Sequence, residues 1–574
     1  MFTAIQTGDE VVEQRADAVE RRGMEVVDRE PHGRVAEPFV QPIDVLGPAF
    51  GELMVLDQTD DGGGAAALHR SLRVGCDSVL AAQRHPTDLM MHRDGVDATV
   101  PASLAQPLHA YRRYSTNRVG DMAREEFDPL TGQTVELLQT MIRNRCVNDG
   151  SASSGHEVRN ADVLRQFLGD SGLDVQQFEP MPGRGSLVAR IGGTDPNAPK
   201  LCLMGHTDVV PVNESGWSHD PFGGELIGGE VWGRGAVDML NLTASMAVAF
   251  RHLAVTGFRP RGDLIYFAVA DEESGSAHGM QWMADHEHDA IWADYVLTEN
   301  GGLHSGPTDQ PYVGINVGEK GVAWRRLRVY GTPGHGSAPF KADNALMTAA
   351  AVMQRISEYR PSPRFHELWR TRVETLGLSE DAQRDLLDPD RIDAFLDALP
   401  TPGPGPHLHA CTHTTFSCNT IAGGGSGPMK TNVIPDCVDI GVDVRTLPGE
   451  GADDVDAHLR AALGDLYEQV EVEVLMNDPA SISRTDTPLW DSLARSIAKP
   501  FPTARATPQL VVGFTDSRVY RQMGAVSYGA GLFSPDLDPS DFGRRFHGHD
   551  ERIDVESLRL TTALWLDVVR DLLA

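Results

Sequence analysis

From Asp128 to the C-terminus, apolar residues recur with the spacings of alternating strands and helices. Residues 132–145 and 161–168 have the apolar period of about 3.6 that is typical of amphipathic helices. Short apolar runs bounded by polar residues predict strands at residues 186–191, 200–204, 263–270 and 293–297. Residues 244–255 predict a helix between two of these strands. This alternation predicts an α/β fold, with a mainly parallel sheet that helices cover on both faces.

A second folding unit is predicted after Gly318. Strands at 321–330 and 437–445 and helices at 344–359 and 453–463 indicate a smaller α+β domain over residues 318–482, with a long loop rich in Pro and His at 360–410. It interrupts a larger domain formed by residues 122–317 and 483–574, where a further helix is predicted at 486–498. Residues 1–121 show no sustained period. We interpret them as a poorly ordered N-terminal extension, or as a segment upstream of a true start near Met122.

The composition disfavours several classes of function. The 574 residues exceed one typical domain, and 41% are hydrophobic, which is enough for a large core. The formal net charge of -32 disfavours a nucleic-acid partner. No run of about eighteen apolar residues is present, so we expect no transmembrane helix. Because the first residues lack a basic stretch before an apolar one, and the six cysteines form no CxxC pair, we expect a cytoplasmic protein with free thiols.

Residues with metal-binding or acid–base chemistry follow the predicted strands. Ligands of an open parallel sheet bind beyond the carboxyl ends of its strands. The candidate residues there, or after a Gly-rich turn in the case of Asp238, are His206, Asp208, Asp238, Glu272, Glu273, Glu299 and His547. Each alone has an ordinary explanation, such as a loop histidine, a helix cap or a solvated charge. Together, histidines and carboxylates at converging strand ends indicate a zinc site, with cobalt or manganese as alternatives.

A series of motifs resembles the dinuclear zinc peptidases that include aminoacylase, succinyl-diaminopimelate desuccinylase and glutamate carboxypeptidase. The motifs are GHTDVVP (205–211), WSHDPF (217–222), GRGAVDM (233–239), DEESGS (271–276), GTPGHGSAP (331–339), NVIPD (432–436), DVRTLPG (443–449) and HGHDE (547–551). Their order and spacing agree with the family pattern over roughly residues 125–574. The segments TENGG (298–302) and HGSAP (335–339) are most similar to the carboxypeptidase S-like branch.

The resemblance implies a role for each matching residue. Asp238 would bridge two zinc ions, with His206 and Glu299 completing one site and Glu273 and His547 the other. Glu272 would be the general base that activates a metal-bridging water. Asp208 would accept the second ring N–H of His206. The motif HGHDE departs from the family because His549 stands where proline is common, which makes His549 the alternative ligand to His547; Met239-Leu240-Asn241 is a second departure.

Three residues of the inserted domain would complete the implied site. His335 would reach the site of a partner subunit and stabilise the tetrahedral oxyanion, so the resemblance implies a homodimer with residues 318–482 as lid and dimerisation domain. Asn432 would bind the substrate, and Arg445 would bind the terminal carboxylate of the substrate by a bidentate contact.

The predicted function is a metal-dependent hydrolase that cleaves the amide bond of small N-acyl amino acids or short peptides with a free carboxylate. The alternative enzyme is an aminopeptidase that recognises a free amine, and the presence of His335 and Arg445 in an inserted lid argues against it. The alternative of another class is a non-catalytic metal- or peptide-binding protein. The complete ligand set and the presence of Glu272 argue against that hypothesis.

Overall fold

The computed structural model describes residues 127–169, 171–400, 403–424 and 429–574, which lie in one compact unit. The predicted N-terminal extension, residues 1–121, lies outside the described residues. The strands in chain order are β1 Asp174–Phe178, β2 Ser186–Ile191, β3 Leu201–His206, β4 Glu225–Ile227, β5 Glu230–Trp232, β6 Leu264–Val269, β7 Tyr295–Thr298, β8 His304–Ser305, β9 Tyr312–Glu319, β10 Gly321–Val322, β11 Arg325–Tyr330, β12 Gly334–His335, β13 Thr415–Gly423, β14 Val433–Ile434, β15 Cys437–Thr446, β16 Val470–Val474, β17 Ser481–Ile482, β18 Arg505–Val511, β19 Val526–Gly529 and β20 Arg552–Asp554.

The helices range from one turn to five. In chain order they are α1 Pro129–Arg143, α2 Val158–Gly169, α3 Leu240–Val255, α4 Met280–His286, α5 His288–Ile291, α6 Ala345–Glu358, α7 Glu367–Thr375, α8 Glu380–Leu386, α9 Ile392–Asp397, α10 Gly405–Thr412, α11 Ala452–Leu463, α12 Pro488–Ala498, α13 Ser517–Gln522, α14 Pro539–Arg545 and α15 Val555–Leu573. Among the residues that the structure describes, no helix is both long enough and apolar enough to cross a membrane.

A mixed sheet of ten strands is the centre of the molecule. The strand order is β1-β2-β6-β3-β7-β19-β9-β17, and β8 and β18 also pair with β9. Strands β6, β3, β7 and β19 are parallel to one another, whereas β1 and β2 are added antiparallel at one edge. The predicted α/β fold is confirmed, and its parallel part is the middle of the sheet.

Helices cover both faces of this sheet, as the pattern predicts. Leu201 and Leu203 of β3 pack into a core with apolar residues of α1, α3, α12 and α15. Cys202 and Met204, which point to the opposite face, pack into a core with α4, α5 and α13. The central strands are therefore buried on both sides, which is why they appear in the sequence as continuous apolar runs.

A second sheet is built from the chain between Glu319 and Ser481, where the chain leaves the large sheet and returns to it. It is antiparallel, with the order β10-β15-β11-β16 and with β13 paired to β15. Helices α6 and α11 pack on one of its faces through residues such as Val352 and Leu459. The alternating burial along β11 and β15 explains the period of two in their sequences.

The predicted loop at residues 360–410 is wrong. That stretch folds into helices α7, α8, α9 and α10, which we call the helical segment. Their apolar side chains form a small separate core around Trp369, Leu386 and Phe395. Each helix has nine residues or fewer, so no apolar period persists for long enough to be recognised among the prolines. The cap residues His366 and Ser379 were the available signal, because each accepts a backbone N–H at a helix start.

Candidate active site

The residues at or just after the carboxyl ends of three neighbouring parallel strands lie at one edge of the large sheet. Strand β3 extends two residues beyond its predicted end and finishes on His206 itself. Strand β6 is followed by Glu272 and Glu273, and β7 by Glu299. Because β6, β3 and β7 are adjacent and parallel, their carboxyl ends lie side by side. The sheet therefore brings these four side chains to one place.

Asp238 lies between the two histidines of the cluster. Nε2 of His206 is 3.1 Å from Oδ1 of Asp238, and Nε2 of His547 is 3.2 Å from Oδ2. His547 is also 3.2 Å from Oε2 of Glu273, and His206 is 3.9 Å from Oε2 of Glu299. Each histidine thus faces one oxygen of Asp238 and a second carboxylate. This is the arrangement expected of a shared ligand between two cation sites.

Glu272 belongs to the same cluster. The potential ligand atoms of His206, Glu272 and Glu299 lie within 4.8 Å of one another, and so do those of His206, Asp238 and Glu273. All six residues predicted as metal ligands or general base therefore converge. His547 joins the cluster through its 3.2 Å contacts with Asp238 and Glu273, whereas His549, the alternative ligand, lies against Gly216.

Asp208 holds the turn that carries the two glutamates. Its carboxylate accepts hydrogen bonds from the backbone N–H groups of Glu272 at 3.3 Å and Glu273 at 3.1 Å. Its predicted contact with His206 differs from the expectation: Nδ1 of the ring is 3.1 Å from the backbone oxygen of Asp208 and 3.5 Å from its carboxylate. The backbone carbonyl is the nearer acceptor, because the carboxylate is turned toward the glutamate turn.

The cluster concentrates negative charge in a buried place. Burial and the neighbouring carboxylate of Asp238 raise the pKa of Glu273 to about 7 and that of Glu299 well above its usual range. Burial and nearby carboxylates likewise raise the pKa of Glu272. Hydrogen bonds to Asp238 and Glu273 raise the pKa of His547 to about 10. Without cations the site retains protons that would offset this repulsion.

The donor set fits divalent cations. Two imidazoles and several carboxylates are ligands that zinc accepts. The N···O separations of 3.1 and 3.2 Å around Asp238 are close to the ~3.4 Å expected between two ligands of one tetrahedral zinc. In addition, Oε1 of Glu273 is buried and has no hydrogen-bond partner in the part of the chain that the structure describes. A cation would satisfy this oxygen.

Sequence reasoning gave no role to two buried acids beside this cluster. Glu551 accepts hydrogen bonds from backbone N–H groups of the loop that ends in Asp238, and its other oxygen pairs with Arg234 at 2.6 Å. Asp516 binds Ser276 and is among the charges that raise the pKa of Glu272. Asp516 follows strand β18 within Gly513-Phe514-Thr515-Asp516, so inspection of that strand end would have found it.

His335 and Asn432 meet on a separate two-stranded ribbon. Strands β12 and β14 pair His335 with Val433, and the backbone N–H of Gly336 donates to the carbonyl of Asn432 at 2.8 Å. Both predicted residues are exposed. In the described part of the chain, the His335 ring is hydrogen bonded only to Ser337. The ribbon thus brings His335, the predicted oxyanion-stabilising residue, close to Asn432, a predicted substrate-binding residue, and in the described residues neither is hydrogen bonded to the metal cluster.

Arg445 is already engaged by a neighbouring acid. Its Nε and Nη2 atoms donate to the two carboxylate oxygens of Asp443 at 2.8 and 3.2 Å. The guanidinium also stacks on Phe514, 4.9 Å from the ring centre. Among the described residues, Nη1 is buried and has no hydrogen-bond partner. Asp443 therefore occupies the Nε/Nη2 edge of the guanidinium, and Nη1 is the donor that remains for another contact.

Comparison with known proteins accounts for this arrangement. A family model described as "Peptidase family M20/M25/M40" matches residues 202–571. The chain belongs to this family. The match includes His206, Asp238, both glutamates of the turn, Glu299 and His547. As a member of the M20 family the chain is a hydrolase, as predicted.

Relatives extend the match over most of the chain. "Probable carboxypeptidase S-like 2" from Dictyostelium discoideum is 26% identical over 411 residues, which is 67% of this chain and 74% of that protein. "N-fatty-acyl-amino acid synthase/hydrolase PM20D1" from Xenopus tropicalis is 26% identical over 487 residues, which is 80% of this chain and 90% of that protein. The crystal structure of the M20 family metallo-carboxypeptidase Sso-CP2 from Sulfolobus solfataricus has a TM-score of 0.58 at 17% identity, covering 78% of this chain and 99% of that one. It shows the same fold.

Proposed function

We propose that this M20-family hydrolase cleaves the amide bond of small N-acyl amino acids or short peptides that carry a free carboxylate. The observation that carries the proposal is the convergence of two histidines with a group of carboxylates, one of which, Asp238, lies between both histidines. The names of the relatives support the substrate class. A carboxypeptidase and an N-fatty-acyl-amino acid hydrolase both act on an amide whose nitrogen belongs to an amino acid.

The proposed cofactor is a pair of zinc ions, with cobalt or manganese as possible substitutes. His206 and Glu299 would hold one ion, Glu273 and His547 would hold the other, and Asp238 would contribute to both. When bound, such ions polarise the amide carbonyl and lower the pKa of a water toward about 7. Asp208 supports the site by holding the Glu272–Glu273 turn through two backbone N–H groups.

Glu272 is the proposed general base. It takes a proton from the attacking water and returns that proton to the leaving nitrogen. Burial and neighbouring carboxylates raise the pKa of Glu272 above its ordinary value. The neighbouring Glu273 faces His547 at 3.2 Å. The two adjacent glutamates can therefore have separate roles.

The proposed homodimer forms through the inserted domain, with residues 318–482 as the lid and residues 122–317 and 483–574 as the catalytic domain. Phe340 and Met347 are 86% and 65% exposed, so a partner subunit could bury apolar area there. Strand β13 is an edge strand whose Ile421 is also exposed. A partner subunit covering this surface would bring its own His335 to the catalytic site to stabilise the oxyanion.

Recognition of the substrate is assigned to Asn432 and Arg445. Because Asp443 occupies the Nε edge of Arg445, the proposed contact with the substrate carboxylate uses Nη1. The stack on Phe514 fixes the plane of the guanidinium. An aminopeptidase would need a carboxylate aimed at the free amine of its substrate. The cationic Arg445 favours a substrate carboxylate instead. The cytoplasmic location stays a prediction.

One set of substrates tests the proposal. Metal-loaded protein would be assayed with an N-acetyl amino acid, an N-fatty-acyl amino acid, a dipeptide, and the same dipeptide as its C-terminal amide. We expect turnover of at least one substrate with a free carboxylate, much slower turnover of the amide, and loss of activity after chelation that zinc restores. A preference for a free amine that is unaffected by C-terminal amidation would support the aminopeptidase instead. Full activity at zero bound metal would overturn the mechanism.

A further inference from the structure

A second group of metal-binding side chains lies in the helical segment. It consists of Asp393 on α9, His409 on α10, and His413 directly after α10, and their potential ligand atoms lie within 4.8 Å of one another. His409 and His413 are four residues apart, so one helical turn places them side by side. Their rings stack with centres 4.0 Å apart and planes inclined by 4°. None of these residues belongs to the active-site cluster.

The hydrogen bonds of His413 leave one ring nitrogen without a partner. Its Nδ1 lies 2.9 Å from Oγ1 of Thr412 and 3.1 Å from the backbone oxygen of His409. The backbone oxygen can only accept, and the Thr412 hydroxyl can donate to the carbonyls of Leu408 and His409, so this network favours the ring proton on Nδ1. Nε2 is then a lone pair, and among the described residues it is buried without a hydrogen-bond partner. The residue as a whole is 1% exposed. A buried acceptor of this kind is costly unless something satisfies it.

The carboxylate of Asp393 faces this lone pair. Oδ1 of Asp393 is 3.1 Å from Nε2 of His413, which is an ion-pair distance when the ring is protonated. The pair does not have the geometry of a direct hydrogen bond. With a neutral ring, two acceptors at this distance repel each other unless a proton or a metal cation lies between them. The separation is close to the ~3.4 Å between a nitrogen and an oxygen that share one tetrahedral zinc.

We propose that Asp393, His409 and His413 bind a divalent cation of the zinc class, separate from the active-site metals. Two imidazole nitrogens and one carboxylate oxygen are a ligand set that zinc prefers. Asp393 is half-exposed, with a side chain 54% accessible, so solvent can reach the open side of the site and complete the coordination. Rotation of the two imidazoles would direct both lone pairs to one ion.

The site is suited to binding rather than to hydrolysis. In zinc peptidases with two histidines four residues apart, a glutamate between them acts as the base. Here Ala410, Cys411 and Thr412 lie between the histidines, so no carboxylate occupies that place. A cation would instead connect α9 to α10. Lys320, which directly follows β9, donates to the carbonyls of Ala410 and His413 and connects α10 to the place where the chain leaves the large sheet.

Zinc binding by the full-length protein tests the proposal. The wild type and the variants His409→Ala and Asp393→Asn would be dialysed against a series of buffered zinc concentrations, and bound zinc would be measured per chain. His407→Ala is the matched control, because His407 lies on the same helix and outside the cluster. We expect the wild type and His407→Ala to hold one zinc more than His409→Ala at saturation. Asp393→Asn should lower the affinity for that additional zinc ion by at least ~10-fold.

Because the active-site ligands are unchanged in all four proteins, a difference in bound zinc between the variants reports on the proposed site and not on the active site. Hydrolysis by Asp393→Asn should equal that of the wild type, and circular dichroism should show that each variant is folded. Asp393→Asn changes an exposed side chain and so remains informative if His409→Ala does not fold. Equal zinc content of the wild type and Asp393→Asn at every concentration would overturn the proposal. Loss of the same zinc in His407→Ala would also overturn it.

Discussion

Oε1 of Glu551 accepts a hydrogen bond from the backbone N–H of Asp238 at 3.1 Å, although 313 residues separate the two in sequence. The same oxygen also accepts from the N–H groups of Val237 at 2.7 Å and Gly235 at 3.1 Å. Oε2 pairs with the buried guanidinium of Arg234. Glu551 thus fixes the backbone conformation of the loop that presents Asp238 to both histidines. It is a positioning residue for the proposed bridging ligand.

Replacing Glu551 by Gln should weaken the metal site. The amide retains one acceptor for the backbone N–H groups but turns a donor toward Arg234. Breaking such a buried pair costs about 3–5 kcal/mol of stability, and loss of outer support typically lowers metal affinity by ~10–100-fold. Bound metal and thermal unfolding measure both effects. Asp550→Asn is the control, because that carboxylate binds Ser218 rather than the Asp238 loop. Unchanged metal affinity in Glu551→Gln would contradict the positioning role.

Replacing Glu272 should lower the rate, whereas replacing Glu273 should lower the metal content. Glu272→Gln removes the proposed base while keeping the shape, so kcat should fall by ~100–10,000-fold with bound metal retained. Glu273→Gln removes a proposed ligand and should lose metal. Steady-state kinetics and metal analysis of both proteins separate the roles. If Glu272→Gln lost metal and Glu273→Gln kept it, the two assignments would have to be exchanged.

Removing the metals should make stability depend strongly on pH. In the metal-free site the pKa of Glu273 is raised to about 7 and that of His547 to about 10, so the folded protein holds protons that the unfolded chain releases at lower pH. The contribution of Glu273 and His547 to the free energy of unfolding is present at low pH. It is lost as the pH rises through about 7 and then about 10. Thermal unfolding of chelated protein between pH 5 and about 9 measures this. We expect the stabilisation by added zinc to grow over the same interval, since binding displaces protons. Stabilisation independent of pH would refute this account.

The sequence predicts the metal-binding and catalytic residues better than it predicts the residues that hold them in position. The reason is physical. His206, the glutamate pair and Glu299 each follow a strand, and adjacent parallel strands bring such residues together without further information. The partners of Asp208 and Glu551 depend on how distant loops meet, which no local pattern encodes. The engagement of Arg445 by Asp443 is different, because the two residues are two positions apart on one face of β15 and the predicted strand already places them side by side. The helical segment was missed because its helices are too short to show a period.

Residues 1–121 should be dispensable for hydrolysis. The matched family model begins at residue 202, and the active-site residues begin at His206. A protein that starts at Met122 should therefore keep the kcat and KM of the full-length chain, because every residue assigned to the site comes later in the sequence. Kinetics of the two proteins, with circular dichroism to show folding, make the comparison. A folded but inactive shorter protein would assign a function to this segment.

Mixing two inactive variants should restore activity if the site is shared between subunits. His335 is exposed on the β12–β14 ribbon, and its ring contacts Ser337 rather than the metal cluster. If it acts in the partner's site, a dimer of one His335→Ala chain and one Glu272→Gln chain contains one site with both residues intact. The other site lacks both. With random subunit exchange about half of the dimers are mixed, so activity should approach roughly a quarter of the wild-type value per site.

The recovery is large enough to measure because loss of an oxyanion donor lowers the rate by ~100–1,000-fold, so each variant alone gives a low background. Asn432→Ala mixed with His335→Ala is an informative companion, since these two residues share one ribbon. If both residues of a ribbon act in the partner's site, each site of this mixed dimer lacks one of them, so the mixture should stay inactive; recovery would show that one of the two residues acts within its own chain. Subunit exchange would be verified by mass spectrometry of differently tagged chains. Complete exchange without any gain of activity would show that His335 acts within its own chain or outside catalysis.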